Sequence, residues 1–151
     1  MKGLKTFVTS SLLAGVASAH PQHSKRTLPF GAVIYSCTVS GTVALTFDDG
    51  PYIYTDALLT ALEAGGHRAT FFQNGQNYDN IYSYNTTIQR MIAGNHQVCS
   101  HTWSHADLTT LTDAGIAKEM QELEVAFTNI IGKIPTYMRP VSCIYFWMIH
   151  V

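Results

Sequence analysis

Thr46-Phe47-Asp48-Asp49-Gly50-Pro51 sets two adjacent carboxylates directly after the apolar stretch Val43-Ala44-Leu45. Asp, Gly and Pro are common turn formers, so the segment marks where a strand breaks into a tight turn. One carboxylate there would serve only as a turn cap. Two at a strand end can divide labour, the first handling a proton and the second a metal. A second run, Ser100-His101-Thr102-Trp103-Ser104-His105, spaces two imidazoles by one helical turn. Neither run is decisive alone, because His-x-x-x-His also arises by chance or as a satisfied pair near a helix start. Together Asp49, His101 and His105 make a candidate metal site beside the free carboxylate of Asp48.

Composition bounds the rest. The 151 residues make one domain at most, and 46% hydrophobic content with 13% charge suits a packed globular protein. A net charge of -1 gives no basic footprint, which argues against nucleic acid or an anionic membrane as partner. A neutral ligand and a monomeric state are expected. Lys2 and Lys5 precede the apolar run Phe7 to Val16, and Ala17-Ser18-Ala19 fits a small-x-small cleavage site. That run is too short to span a membrane. Residues 1–19 thus read as a secretory signal peptide, and the protein as secreted, extracellular or in the cell wall. Residues 20–40 form a pro-segment or N-terminal extension, with Lys25-Arg26 either a processing site or a solvated basic tail. Secretion makes Asn85-Thr86-Thr87 an N-glycosylation acceptor at Asn85. Cys37, Cys99 and Cys143 are an odd number, so at least one is unpaired within the chain. Cys37 reads as a staple before the first strand whose partner is missing, and Cys99 as a buried, inert thiol.

Strand-like and helix-like segments alternate from Thr42 onward. Thr42 to Phe47 is predicted as a strand buried on both faces, and Tyr54 to Ala64 as a helix stopped by Gly65-Gly66. Arg68 to Gln73 forms a second strand closed by Asn74-Gly75, and about Thr86 to Ala93 a weaker helix before Gly94-Asn95. A third strand covers His96 to Ser100. Thr112-Asp113 opens the clearest helix, with Ile116, Met120, Leu123, Phe127 and Ile130 on one face and Gly132 at its end. Pro135 to Arg139 begins a fourth strand. This order is that of a parallel α/β sheet or barrel, where functional groups collect at the C-terminal ends of strands. Asp48-Asp49, His101, His105 and Arg139 all fall at such ends.

These residues resemble the polysaccharide deacetylase (NodB-homology) family, and within it the fungal chitin deacetylases. Thr46 to Pro51 is similar to the family's first motif and Ser100 to His105 to its second, while Ala69-Thr70-Phe71-Phe72 and Asn74-Gly75 fit the connecting strand. The resemblance runs from about Cys37 to Pro140. It implies a distorted parallel (β/α) barrel, with Asp49, His101 and His105 as metal ligands and Asp48 as general base. Zinc is the implied ion, with cobalt or another divalent metal as the alternative. Three protein ligands leave a coordination position open for water, whose pKa zinc brings to about 7. The implied reaction removes N-acetyl groups from chitin or related N-acetylglucosamine polymers and releases acetate. Arg139-Pro140 looks like the start of the third motif, whose arginine orients the base; an ordinary surface arginine is the alternative. Trp103 either contacts a sugar face or packs beneath the histidine loop.

The resemblance stops at Pro140. The family continues with a second proline, an aromatic and a glycine, whereas Val141-Ser142-Cys143-Ile144 follows here. The general acid of the later motifs is missing from this chain, and nothing around His150 matches it. Residues 41–140 are therefore expected to be a partial domain and 141–151 a non-family tail. Val-Ser fits a splice donor, so the tail reads as translated intron. A barrel short of its last strands leaves an open edge, so this incomplete chain is expected to have little activity. The competing readings are a non-catalytic secreted metal- or carbohydrate-binding fragment, and a deacetylase acting on another acetylated polysaccharide.

Overall fold

A computed structural model describes residues 35–141. The signal peptide, the Lys25-Arg26 pair, Cys143, His150 and the tail from residue 142 lie outside the described residues. Three short strands, β1 (Thr46–Gly50), β2 (Thr70–Gln73) and β3 (Gln97–Ser100), form a parallel sheet in the order β1-β2-β3. Helices α1 (Thr55–Ala64), α2 (Asn85–Ala93) and α3 (Asp113–Ile131) alternate with them, and short 3-10 turns occupy Ile81–Tyr84 and Leu108–Thr110.

Pleating sorts the sheet residues between two faces. Phe47, Phe71 and Val98 share one face by register. There they meet Leu59 and Leu62 of α1, Ile88 and Met91 of α2, and Leu123, Phe127 and Ile130 of α3. Each fully buried Leu, Ile, Met or Phe contributes about 1.5–3 kcal/mol relative to exposure. Phe72 and Cys99 lie on the other face, which carries the chemistry.

α3 matches its sequence signals at both ends. The Thr112 hydroxyl accepts from the Gly115 amide, and Gly132 takes a left-handed φ of 68° that lets its amide reach Thr128. Arg90 on α2 pairs with Glu63 and Asp56 of α1, tying the two helices across their exposed sides.

Two expectations need correction. The first strand starts later than Thr42 and is not buried on both faces: Val43 is 80% exposed and Leu45 37%. β1 is an edge strand of the described sheet. Of the fourth strand, expected to begin at Pro135, the described residues show a single parallel bridge between Ser100 and Met138. Ser100 donates to the Tyr137 carbonyl and accepts from the Arg139 amide. That one bridge extends the parallel order past β3 and brings Arg139 to the site.

Candidate metal centre

A bulge near the end of β1 sends the two carboxylates to different partners. Phe47 pairs with Phe71 and Gly50 with Gln73, so three steps along β1 match two along β2. The extra residue lies in the Asp48-Asp49 stretch, and bulges of this kind re-aim side chains. Asp49 adopts a φ of 70°, a left-handed conformation costing roughly 1–2 kcal/mol for a residue with a Cβ. Asn77 helps to hold it, its side-chain amide donating to the Asp49 carbonyl at 3.3 Å.

Asp49 Oδ1 lies 3.3 Å from His101 Nε2 and 2.9 Å from His105 Nε2. One donor atom from each of the three residues falls within 4.8 Å of the others. His101 Nδ1 sits 2.7 Å from the Arg139 carbonyl, which can only accept. Nδ1 therefore carries a hydrogen, and the Nε2 of a neutral His101 turns its lone pair toward the carboxylate. Two electron-rich atoms facing each other at 3.3 Å call for a positive centre between them, a proton or a metal ion. The Asp-His-His donor set is of the kind that binds zinc, with the carbonyl bond fixing the ligand's tautomer from behind. Burial grades across the three: the His101 side chain is 5% exposed, His105 33% and Asp49 41%. The open side of the cluster thus faces solvent.

Asp48 belongs to a separate arrangement. One Arg139 nitrogen lies 2.6 and 2.9 Å from its two oxygens, with Thr46 Oγ1 at 3.3 Å. The guanidinium also sits 4.0 Å from the centroid of the Phe72 ring. Arg139 is thus held by both a carboxylate and an aromatic face, while its backbone carbonyl orients His101. Beneath it, burial pushes the Cys99 thiol up to about 11 against the opposing effect of Arg139.

The histidine loop is anchored by residues whose roles the sequence did not reveal. Thr102 and His105 also adopt left-handed φ values, 72° and 59°. The Asn74 side chain, 1% exposed, donates to the carbonyls of both His101 and Thr102. The amides of Gly75 and Gln76 both donate to the Trp103 carbonyl. From α3, Glu119 accepts from the Ser104 amide at 2.7 Å and the Ser104 hydroxyl at 2.6 Å, and its carbonyl accepts from the Trp103 amide. Trp103 packs against the hydrophobic core, as the packing alternative required. A Cβ on Gly75 would lie 1.9 Å from the indole, so glycine is required there. Asn74-Gly75, legible as a strand closure and as part of the connecting-strand resemblance, is therefore also the seat of the ligand loop. Glu119 gave no local signal, standing 15 residues from Ser104.

Parallel strands with alternating helices, and an Asp-His-His cluster at their C-terminal ends beside an arginine-held carboxylate, define an α/β protein with a candidate metal centre. The chain belongs to the polysaccharide deacetylase family, which matches residues 35–144. It is 55% identical over 132 residues to a chitin deacetylase of Pestalotiopsis sp., a match covering 87% of this chain and 44% of the relative. It is 50% identical over 120 residues to a probable peptidoglycan-N-acetylglucosamine deacetylase of Arthroderma benhamiae, covering 79% and 28%. Among solved structures, the chitin deacetylase of the fungal pathogen Colletotrichum lindemuthianum superposes with a TM-score of 0.71 at 47% identity. That match covers 76% of this chain and 51% of the other. The chain thus spans about half the length, or less, of the relatives it matches. Its three-stranded sheet and helices are part of the deacetylase fold, consistent with an incomplete (β/α) barrel. Among the described residues, no helix is long and apolar enough to cross a membrane.

Proposed function

We propose that this protein carries the metal-and-base part of a hydrolytic deacetylase acting on polymers of N-acetylglucosamine, chitin foremost. The observation that carries the reading is the split of adjacent carboxylates, Asp49 to the two histidines and Asp48 to Arg139. Asp49, His101 and His105 would hold a divalent ion, with zinc fitting the donor set and cobalt the alternative. When bound, such an ion supplies Lewis acidity toward a carbonyl oxygen and toward water.

The chain's own residues account for the rest. Asp48 accepts the proton of the attacking water as general base. Arg139 fixes the direction of that carboxylate and balances its charge. Glu119, Asn74 and Gly75 hold His101 and His105 in place, so little reorganisation is needed on substrate binding. Hydrolysis adds water across the acetamide C–N bond, leaving acetate and a free amine on the sugar. The two relatives are named for chitin and for peptidoglycan N-acetylglucosamine, which supports the shared sugar as the substrate class. The Lys2 to Ala19 pattern supports secretion, and Asn85, exposed at the start of α2, would carry an N-glycan.

Acetate release from chitin tetramer tests the reading, with Asp48→Asn beside the wild type. The expected result is zinc-dependent release that is low in this chain and falls to background in the variant, at unchanged zinc stoichiometry. Equal release by both proteins would remove Asp48 from its role. Zinc uptake without any release by the wild type would leave a metal- and glycan-binding protein instead.

A further inference from the structure

Phe71 and Phe72 are neighbours on β2 that face opposite ways. Pleating sends Phe71 to the helix side, where it stacks on Phe47 with ring centroids 5.4 Å apart. Phe72 turns to the face that carries the chemistry, buried beside its register partner Cys99. Its ring lies against the Arg139 guanidinium, with Cζ 4.0 Å from the centroid. β2 is the central strand of the described sheet and pairs on both sides, so the ring stands on a fixed backbone.

The pairing of Arg139 with Asp48 leaves the guanidinium short of one restraint. Among the described residues, its side-chain hydrogen bonds all run from Nη1. They reach Asp48 Oδ1 at 2.6 Å, Asp48 Oδ2 at 2.9 Å and Thr46 Oγ1 at 3.3 Å. That is not the two-nitrogen fork by which an arginine fixes the plane of a carboxylate. A guanidinium held at one nitrogen can pivot about it, and the carboxylate can swing with it. An aromatic face against Cζ opposes the pivot, because the negative face of the ring attracts the cation. The main chain of Arg139 is held separately. Its amide donates to the Ser100 carbonyl, and its own carbonyl faces His101 Nδ1. A change at the ring should thus reach Asp48 and leave the metal ligands alone.

We propose that Phe72 is a positioning residue for the reaction, its ring fixing the Arg139 guanidinium and through it the direction of the Asp48 carboxylate. The role rests on the deacetylase reading of Asp48 as base, and it adds the group that decides where the base points. The test compares the zinc-loaded full chain with Phe72→Leu and with forms carrying mono- or trifluorinated phenylalanine at position 72. Fluorine draws charge from the ring face while nearly keeping its shape, so folding is spared and the attraction to Arg139 is weakened in steps. Rotation of the Arg139 guanidinium about Nε–Cζ is read by nitrogen-15 NMR, acetate release from chitin tetramer beside it, and zinc affinity by chelator competition. Rotation should quicken stepwise, by about fivefold with three fluorines, the size of one cation–π contact. Release should fall in the same order, zinc affinity should hold, and Phe72→Leu should move in the same direction. Rotation that ignores fluorination would overturn the proposal, as would zinc affinity falling as far as release, which marks a packing role. Acetate release that stays constant through the fluorinated series removes Phe72 from its role and spares the deacetylase reading. Rotation that follows fluorination, with no acetate release by the wild type, keeps the hold of Phe72 on Arg139 and removes that reading.

Discussion

Replacing Gly75 with alanine should damage the metal centre without touching any ligand. The new Cβ would lie 1.9 Å from Trp103 Cε3 and 2.3 Å from Cζ3, whereas ordinary contact begins at 3.4 Å. The indole would have to retreat by about 1.5 Å, but the backbone on which it turns is fixed on both sides. The Trp103 carbonyl accepts from the Gly75 and Gln76 amides, and its amide donates to Glu119. Overpacking of this kind costs typically about 1–3 kcal/mol. For a domain near 100 residues that corresponds to a fall in Tm of roughly 4–8 °C per kcal/mol. Trp103 lies between His101 and His105, so displacement should also weaken zinc about 10–100-fold, as loss of outer support does elsewhere. Thermal melting of the apoprotein and zinc competition against a chelator would read the two effects. Trp103→Leu removes the obstructing ring, so the double variant should be less destabilised than the two single losses added together. A Gly75→Ala protein within about 0.5 kcal/mol of wild type, or strict additivity with Trp103→Leu, would refute the steric account.

Other expectations concern single contacts. Glu119→Ala removes both acceptors from Ser104 and should lower zinc affinity at least about tenfold, measured by chelator competition. Arg139→Ala should cut acetate release at least about tenfold by freeing Asp48. Zinc affinity should hold in that variant, because the bond to His101 comes from the backbone carbonyl. Cys99, raised to about 11 and fully buried, stays a neutral thiol as pH rises past the ordinary thiol range. Iodoacetamide at mildly alkaline pH should therefore label exposed Cys37 and spare Cys99 until the protein unfolds, as mass spectrometry would show.

Elements held by local signals were the most legible in the sequence. Thr112 and Gly132 bounded α3 because an N-cap hydroxyl and a left-handed glycine act within a few residues of themselves. Apolar periodicity located the sheet and helices, and motif resemblance pointed to Asp49, His101 and His105, which the structure brings together. The start of β1 was misread because Val43-Ala44-Leu45 is apolar yet lies at the edge of the described sheet. Apolarity records what a segment can bury, and only packing decides what it does bury. Of the fourth strand, the described residues hold one bridge, from Ser100 to Met138. Asn74, Gly75 and Glu119 escaped notice as anchors because their partners lie 15 to 28 residues away. The bulge at Asp48-Asp49, which separates their roles, likewise exists only once β2 lies beside β1.

Zinc K-edge X-ray absorption on the zinc-loaded protein tests the account most directly. The account predicts one ion per chain bound by two imidazole nitrogens and carboxylate or water oxygens, all at about 2.0–2.2 Å. A sulfur shell near about 2.3 Å, or a spectrum without imidazole scattering, would contradict the assignment of Asp49, His101 and His105.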